Sequence, residues 1–322
     1  MSNFVIRQEG PSSVVADNIW EVRLGAGSLL LGALTGAFVA LYLRSRDEPG
    51  ATAARPEGWS PNIAHRGGAG IAPENTLVGF RKGLEVGAGV LELDVHASAD
   101  GHVVVIHDET VDRTTDGRGP VREKTLPEIK KLDAGYDFPP DGGESYPYRD
   151  RGVTVPTLEE VYREFPNVPT NVEIKGTRPG IEKAVMRVIE DAGAEDRTLV
   201  VSEKDATIRR FREVSGGRVA TGSSSKEIAV FYLLSHLRLS GLLRPPYQAL
   251  QGPAWKVLRV VTPTFVRAAH ELGVRVDVWT INKEPDMRRL LGFGVDGIMT
   301  DRPDVLARVL EGSTLGVPSI KS

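Results

Sequence analysis

The stretch Val90-Leu91-Glu92-Leu93-Asp94-Val95-His96 decides how this chain is read. In an extended strand alternate side chains share a face, so Leu91, Leu93 and Val95 point one way and Glu92, Asp94 and His96 the other. Such a strand fits a barrel whose apolar face meets surrounding helices and whose polar face looks inward. Two carboxylates two positions apart on an inward face are costly to leave ionised without compensation. A hard divalent cation such as Mg²⁺ or Ca²⁺ would supply it. An ion pair to a nearby arginine, or a polar face left in solvent, would satisfy the same pattern.

Two further segments repeat the logic. In Asn171-Val172-Glu173-Ile174-Lys175, Glu173 and Lys175 share a face and read either as a third ligand beside an anion contact or as an internal salt bridge. In Arg275-Val276-Asp277-Val278-Trp279-Thr280, Trp279 shares a face with Asp277 and is either an apolar wall for a ligand or ordinary barrel packing.

Outward from these segments, strand-like and helix-like stretches alternate. Ile63 to His65, Val90 to Ala97, Val103 to His107, Asn171 to Ile174, Thr198 to Ser202, Gln248 to Gln251, Arg275 to Thr280 and Gly297 to Met299 read as strands. Asn75 to Val86, Ile181 to Ala192, Thr207 to Glu213, Pro263 to Leu272 and Glu284 to Leu291 carry amphipathic helical spacing. Alternation of this kind implies parallel β/α units, and the expected fold is an α/β TIM (β/α)₈ barrel over residues 60–312. Thr110 to Thr154 breaks the rhythm as a long polar stretch rich in Gly and Pro, a length at which loops are usually functional or disordered.

Two histidines stand where strands should end. His65-Arg66-Gly67-Gly68 leads into a glycine-rich turn, and Val103-Val104-Val105-Ile106-His107-Asp108 opens the long polar stretch. Barrel active sites lie at strand C-terminal ends. Histidine exchanges protons near neutral pH, and the Arg66 guanidinium is a fork suited to phosphate oxygens.

Together the motifs His65-Arg66-Gly67, Pro73-Glu74-Asn75-Thr76, Glu92-x-Asp94, His107-Asp108, Glu173-x-Lys175, Trp279-Thr280-x-Asn282 and Asp296-Gly297-Ile298-Met299-Thr300-Asp301 resemble, in order, those of glycerophosphodiester phosphodiesterases. The resemblance runs from about Asn62 to Leu310. It implies a TIM barrel that hydrolyses glycerophosphodiesters to an alcohol and glycerol 3-phosphate. It also implies one divalent cation, Mg²⁺ or Ca²⁺, on Glu92, Asp94 and Glu173, a catalytic pair in His65 and His107, and phosphate contacts from Arg66 and Lys175. Trp279 would then wall the substrate's glycerol. His65-Arg66-Gly67-Gly68-Ala69-Gly70, Phe165-Pro166-Asn167-Val168-Pro169 and an N-terminal apolar run are similar to membrane-anchored members that act as lysophospholipase D. Ile228 to Leu243, with Arg238 as its one fixed charge, reads either as a lipid-facing helix near the mouth or as a buried barrel helix or lid.

Leu24 to Leu43 carries no charge and is long enough to cross a bilayer. Its glycines suit a membrane span. The acidic and basic residues before it argue against a cleaved leader, which would want a basic start. The expected organisation is a tail at 1–23, a transmembrane helix at 24–43, a linker at 44–59, the barrel at 60–312 and a tail at 313–322, with the protein membrane-bound by a single-pass N-terminal anchor. Among 322 residues there is no cysteine, which excludes disulfides and thiolate chemistry. The net charge of −3 offers no basic footprint for nucleic acid. Expected partners are therefore a glycerophosphodiester or lysophospholipid substrate and membrane lipid. The competing reading is a non-catalytic, membrane-anchored barrel that binds phosphate or lipid.

Overall fold

A computed structural model describes residues 59–139, 143–176, 178–254 and 260–314. The expected tail at 1–23, the transmembrane helix at 24–43 and all but the last residue of the linker lie outside the described residues. Among those described, no helix is long and apolar enough to cross a membrane. The last helix continues to Thr314, past the expected boundary at residue 312.

Among the described residues nine strands form one sheet: β1 (Asn62–Ala64), β2 (Val90–Ala97), β3 (Val103–Val105), β4 (Thr170–Ile174), β5 (Thr198–Val201), β6 (Ala220–Thr221), β7 (Ala249–Pro253), β8 (Arg275–Trp279) and β9 (Gly297–Thr300). Eight of them run parallel in the order β6-β5-β4-β2-β1-β9-β8-β7. The two ends of that row meet through a parallel bridge between Gly222 and Ala249, so the barrel is nearly closed.

The helices are α1 (Leu77–Glu85), α2 (Leu126–Ile129), α3 (Leu158–Glu164), α4 (Ile181–Asp191), α5 (Asp205–Ser215), α6 (Ser225–His236), α7 (Pro263–Glu271), α8 (Glu284–Gly292) and α9 (Pro303–Thr314). Their starts are written in the sequence. Thr76 Oγ1 accepts the Gly79 N–H of α1 at 3.0 Å, and Thr157 with Glu160 and Ser224 with Glu227 form capping boxes on α3 and α6.

The alternation expected of β2 is realised. Leu91, Leu93 and Val95 are fully buried in one apolar cluster with Phe80, Val185 and Phe211 from the helices. The same strand's Glu92, Asp94 and His96 are also buried, on the other face. Register then fixes their neighbours across the strands, since Glu92 lies opposite Asn171 and Asp94 opposite Glu173.

One expected strand has a different role. Val103–Val105 is antiparallel to the end of β2 and stands outside the ring. Its unbroken apolar run resembles a buried parallel strand, yet a hairpin arm packed on both faces has the same composition. The vacant place in the ring is taken by Ala220–Thr221, two residues too short to display any alternation. After β3 the chain makes an excursion that closes over its own small core of Val104, Ile106, Val111, Val121, Ile129 and Val155. It is pinned to the start of α3 by the Val104–Thr157 bridge.

Candidate active site

Every residue singled out for chemistry reaches one end of the barrel. His65, Arg66, Glu92, His107, Glu173, Lys175 and Trp279 line a cavity of about 530 Å³. Asp94 lies beneath it, 1% exposed.

The turn after β1 shapes the near wall. Arg66 takes a left-handed backbone at φ 51° and Gly67 follows at φ 83°. A Cβ on Gly67 would stand 2.6 Å from the Phe80 ring, so glycine is the residue that lets the turn close. In this conformation the Arg66 N–H donates to Glu92 Oε2 at 2.7 Å. The Arg66 side chain donates to Glu74 at 3.0 Å, while its Nε, 3.4 Å from Asp94, is buried without a hydrogen-bond acceptor. Asn75 holds Asp94 from both ends, through Nδ2 to Oδ2 at 3.0 Å and through Oδ1 from the Asp94 N–H at 3.2 Å.

Glu92, Asp94 and Glu173 each offer an oxygen, and these atoms all lie within 4.8 Å of one another. Burial, reinforced by the Asp94 charge, pushes the Glu92 carboxyl up to about 8. Burial also raises Glu173, although Lys175 works against it. Lys175 Nζ pairs with Glu173 at 2.9 Å and with Asp94 at 3.7 Å. Burial lowers that ammonium's proton affinity, but the carboxylates win and raise it overall. Three oxygen donors converging under mutual repulsion fit a hard divalent cation, whose charge would favour their ionised forms.

The two histidines are held alike. His65 Nδ1 donates to Asp301 Oδ1 at 2.6 Å, and His107 Nδ1 donates to Asp108 Oδ1 at 2.6 Å. Each carboxylate fixes the ring and leaves Nε2 as the nitrogen available for reaction. Burial favours neutral His65, yet the Asp301 hydrogen bond and the Glu92 charge prevail and raise its pKa above the usual 6.5. Desolvation works against ionised Asp108, but Arg113 and His107 hold its carboxyl down at about 2. Arg113 also binds Glu74 at 2.7 and 2.8 Å. A continuous chain thus links His107, Asp108, Arg113, Glu74 and Arg66.

Asp108, Asp301, Glu74 and Asn75 sit inside motifs already quoted, but their positioning roles were not evident from the strand pattern. Arg113 was missed altogether, because it lies in the polar excursion, where no periodicity marks it. The Ile228 to Leu243 segment begins inside α6, one of the barrel helices, and runs on past its end. Val230, Phe231 and Leu234 are buried, whereas Ile228, Ala229 and Tyr232 line the cavity.

The model of the glycerophosphoryl diester phosphodiesterase family matches residues 65–305. A glycerophosphodiester phosphodiesterase of Caldanaerobacter subterraneus subsp. tengcongensis is 37% identical over 256 residues, spanning 77% of this chain and 96% of the relative. In three dimensions the chain is similar to a phosphodiesterase of Oleispira antarctica solved with sn-glycerol-3-phosphate, at 27% identity and a TM-score of 0.63, with 77% of this chain and 96% of that one covered. The phosphodiesterase domain of a Mycobacterium tuberculosis protein shares the fold at a TM-score of 0.70 and 23% identity, over 79% of this chain and 99% of that one.

Proposed function

The chain belongs to the glycerophosphoryl diester phosphodiesterase family, and on that premise we propose that it hydrolyses glycerophosphodiesters to an alcohol and glycerol 3-phosphate with one divalent cation, Mg²⁺ or Ca²⁺. The observation that carries the reading is the convergence of Glu92, Asp94 and Glu173 within 4.8 Å, in a cavity that also holds both carboxylate-oriented histidines. A cation held by these three carboxylates would supply Lewis-acid polarisation of a phosphate oxygen.

The protein groups then divide the work. Arg66, whose Nε lacks a hydrogen-bond acceptor among the described residues, and Lys175 hold the remaining phosphate oxygens and oppose the charge that develops on them. One histidine Nε2 takes a proton from the nucleophile, either water or the substrate's own 2-hydroxyl. The other gives a proton to the departing alcohol oxygen as the P–O bond breaks. Trp279 forms an apolar wall for the glycerol, and the buried Ser223 Oγ, without a partner among the described residues, is placed to meet a substrate hydroxyl.

The cavity is amphipathic, with Val201, Ile228, Tyr232, Pro253, Val260 and Trp279 in its lining beside the charged groups. This supports lysophospholipids as substrates, an acyl chain lying along the apolar wall and lysophosphatidic acid being the product. We further propose that Leu24 to Leu43 anchors the protein in the membrane that supplies such lipids.

The test is the purified full-length protein with Mg²⁺ or Ca²⁺, offered glycerophosphocholine beside lysophosphatidylcholine. Choline release from the first supports the diesterase reading, and release from both extends it to lipids. His107→Ala should slow release by about 10²-fold or more without unfolding the barrel. Near-normal turnover in that variant would remove the two-histidine scheme.

A further inference from the structure

Among the described residues the exposed large apolar side chains are Tyr136, Leu237, Leu239 and Leu242. Scattered singly, such residues are ordinary, but the three leucines stand together, exposed by 52, 44 and 61%. They follow the end of α6 on the segment that leads into β7. A barrel helix returns the chain from the C-terminal end of one strand to the N-terminal end of the next. The patch therefore lies at the end of the barrel opposite the cavity mouth.

The chain enters the barrel at that same end. Trp59 packs against the clusters that hold Val90, Ala220 and Ala249, and the Arg275 guanidinium stands 5.2 Å from its ring. Each of those four residues opens a strand, so Trp59 marks the N-terminal end of the ring. The uncharged run Leu24 to Leu43 lies shortly before it in sequence. Residues 44–58 between them can span no more than about 50 Å even when fully extended. Charge at the patch has one sign. Between Glu227 and Glu271 the sequence holds no acidic residue, while Arg238 and Arg244, both exposed, stand among the leucines.

Resting on the membrane anchor read in Leu24 to Leu43, we propose that the patch of Leu237, Leu239 and Leu242 docks the barrel on an anionic bilayer surface. The leucines enter the headgroup layer, and the two arginines meet lipid phosphates. Three leucines would hold a free protein only weakly. A tether that ends beside them raises the effective concentration of the surface to about millimolar. The mouth, at the opposite end, then opens to water, and a lysophospholipid reaches it as a monomer that has left the bilayer.

The chain has no cysteine, so a single introduced thiol carries a fluorophore to one site. Full-length Leu242→Cys and Arg122→Cys proteins, the second labelled on the exposed excursion at the mouth end, are reconstituted in vesicles of phosphatidylcholine and phosphatidylglycerol. Lipids with a nitroxide near the headgroup should quench the label at 242 and leave that at 122 bright. Adding Leu237→Ser/Leu239→Ser to the first protein should lower its ratio of quenched to unquenched label about tenfold, with an unchanged thermal melt. Vesicles of phosphatidylcholine alone should lower it about fivefold for each arginine. Equal quenching at the two sites, or quenching at 122 alone, overturns the docking while leaving the anchor intact. A label at 242 that is already shielded in detergent, and is untouched by nitroxide lipid, gives the patch to a second copy and overturns it too. A protein that alkaline carbonate strips from the vesicles overturns the anchor, and this inference with it.

Discussion

Two layers of carboxylates occupy the barrel interior, and they meet opposite fates. Asp277 on β8 is fully buried but complete. Arg275, two positions earlier on the same face, binds it at 2.7 and 3.1 Å, and Gln251 Nε2 adds a bond at 3.0 Å. Gln251 in turn accepts from Asn171 at 3.1 Å. Glu92, Asp94 and Glu173 are drawn from the same alternating pattern, but the strand that carries the first two has no cation of its own. Arg66 and Lys175 approach from the rim and leave the three oxygens still crowding one another. A barrel can therefore close an ion pair within one strand, or hold acidic groups short of positive charge for a ligand to complete.

Removing one carboxylate from each layer should separate the two roles. The largest expected effect is on turnover in Asp94→Asn, a loss on the order of 10³-fold, since the charge stabilisation lost is several kcal/mol. Its melting temperature without added cation should not fall. Turnover kinetics and a thermal melt on the same sample check this, and a variant that loses stability but keeps its rate would reverse the assignment. Asp277→Asn should do the opposite. It leaves Arg275 buried and unpaired, at a cost of about 3–5 kcal/mol in chemical denaturation, with turnover per folded molecule retained. A stable but inactive Asp277→Asn protein would erase the contrast between the layers.

The smallest effect is on protons. Because folding raises Glu92 to about 8 in the cation-free protein, the folded state binds more protons than the unfolded one between its ordinary value and that point. The associated stability is complete at acid pH and is lost as pH rises toward 8. Cation-free melting temperatures should fall over this range, and saturating Mg²⁺ or Ca²⁺ should flatten the slope. Cation binding at pH 7 should release about one proton, read from calorimetry in buffers of different ionisation enthalpy. Binding with no proton release would show that Glu92 is already ionised.

The contrast also shows what was legible beforehand. The inward carboxylates and both strand-end histidines could be read because a period of two and a strand terminus are local properties. Whether Asp94 or Asp277 would be closed by an arginine depended on reading that same period for cations. Arg275 shows in the strand, whereas Arg66 approaches from a left-handed turn that alternation does not describe. The β6 strand was too short to register, and Val103–Val105 stood in for it because an apolar triplet does not declare its direction. The carboxylates behind the histidines, and Arg113 above all, depend on where the excursion folds back, which is a tertiary fact.

That excursion brings His107, Asp108 and Arg113 on a small hydrophobic nucleus of its own, while the three clustered carboxylates and His65 belong to the ring. Both histidines therefore face the cavity together only while the excursion stays seated on the ring. Because the nucleus is much the smaller, it should open first on warming, so that activity fades while the ring still shields its amides from exchange.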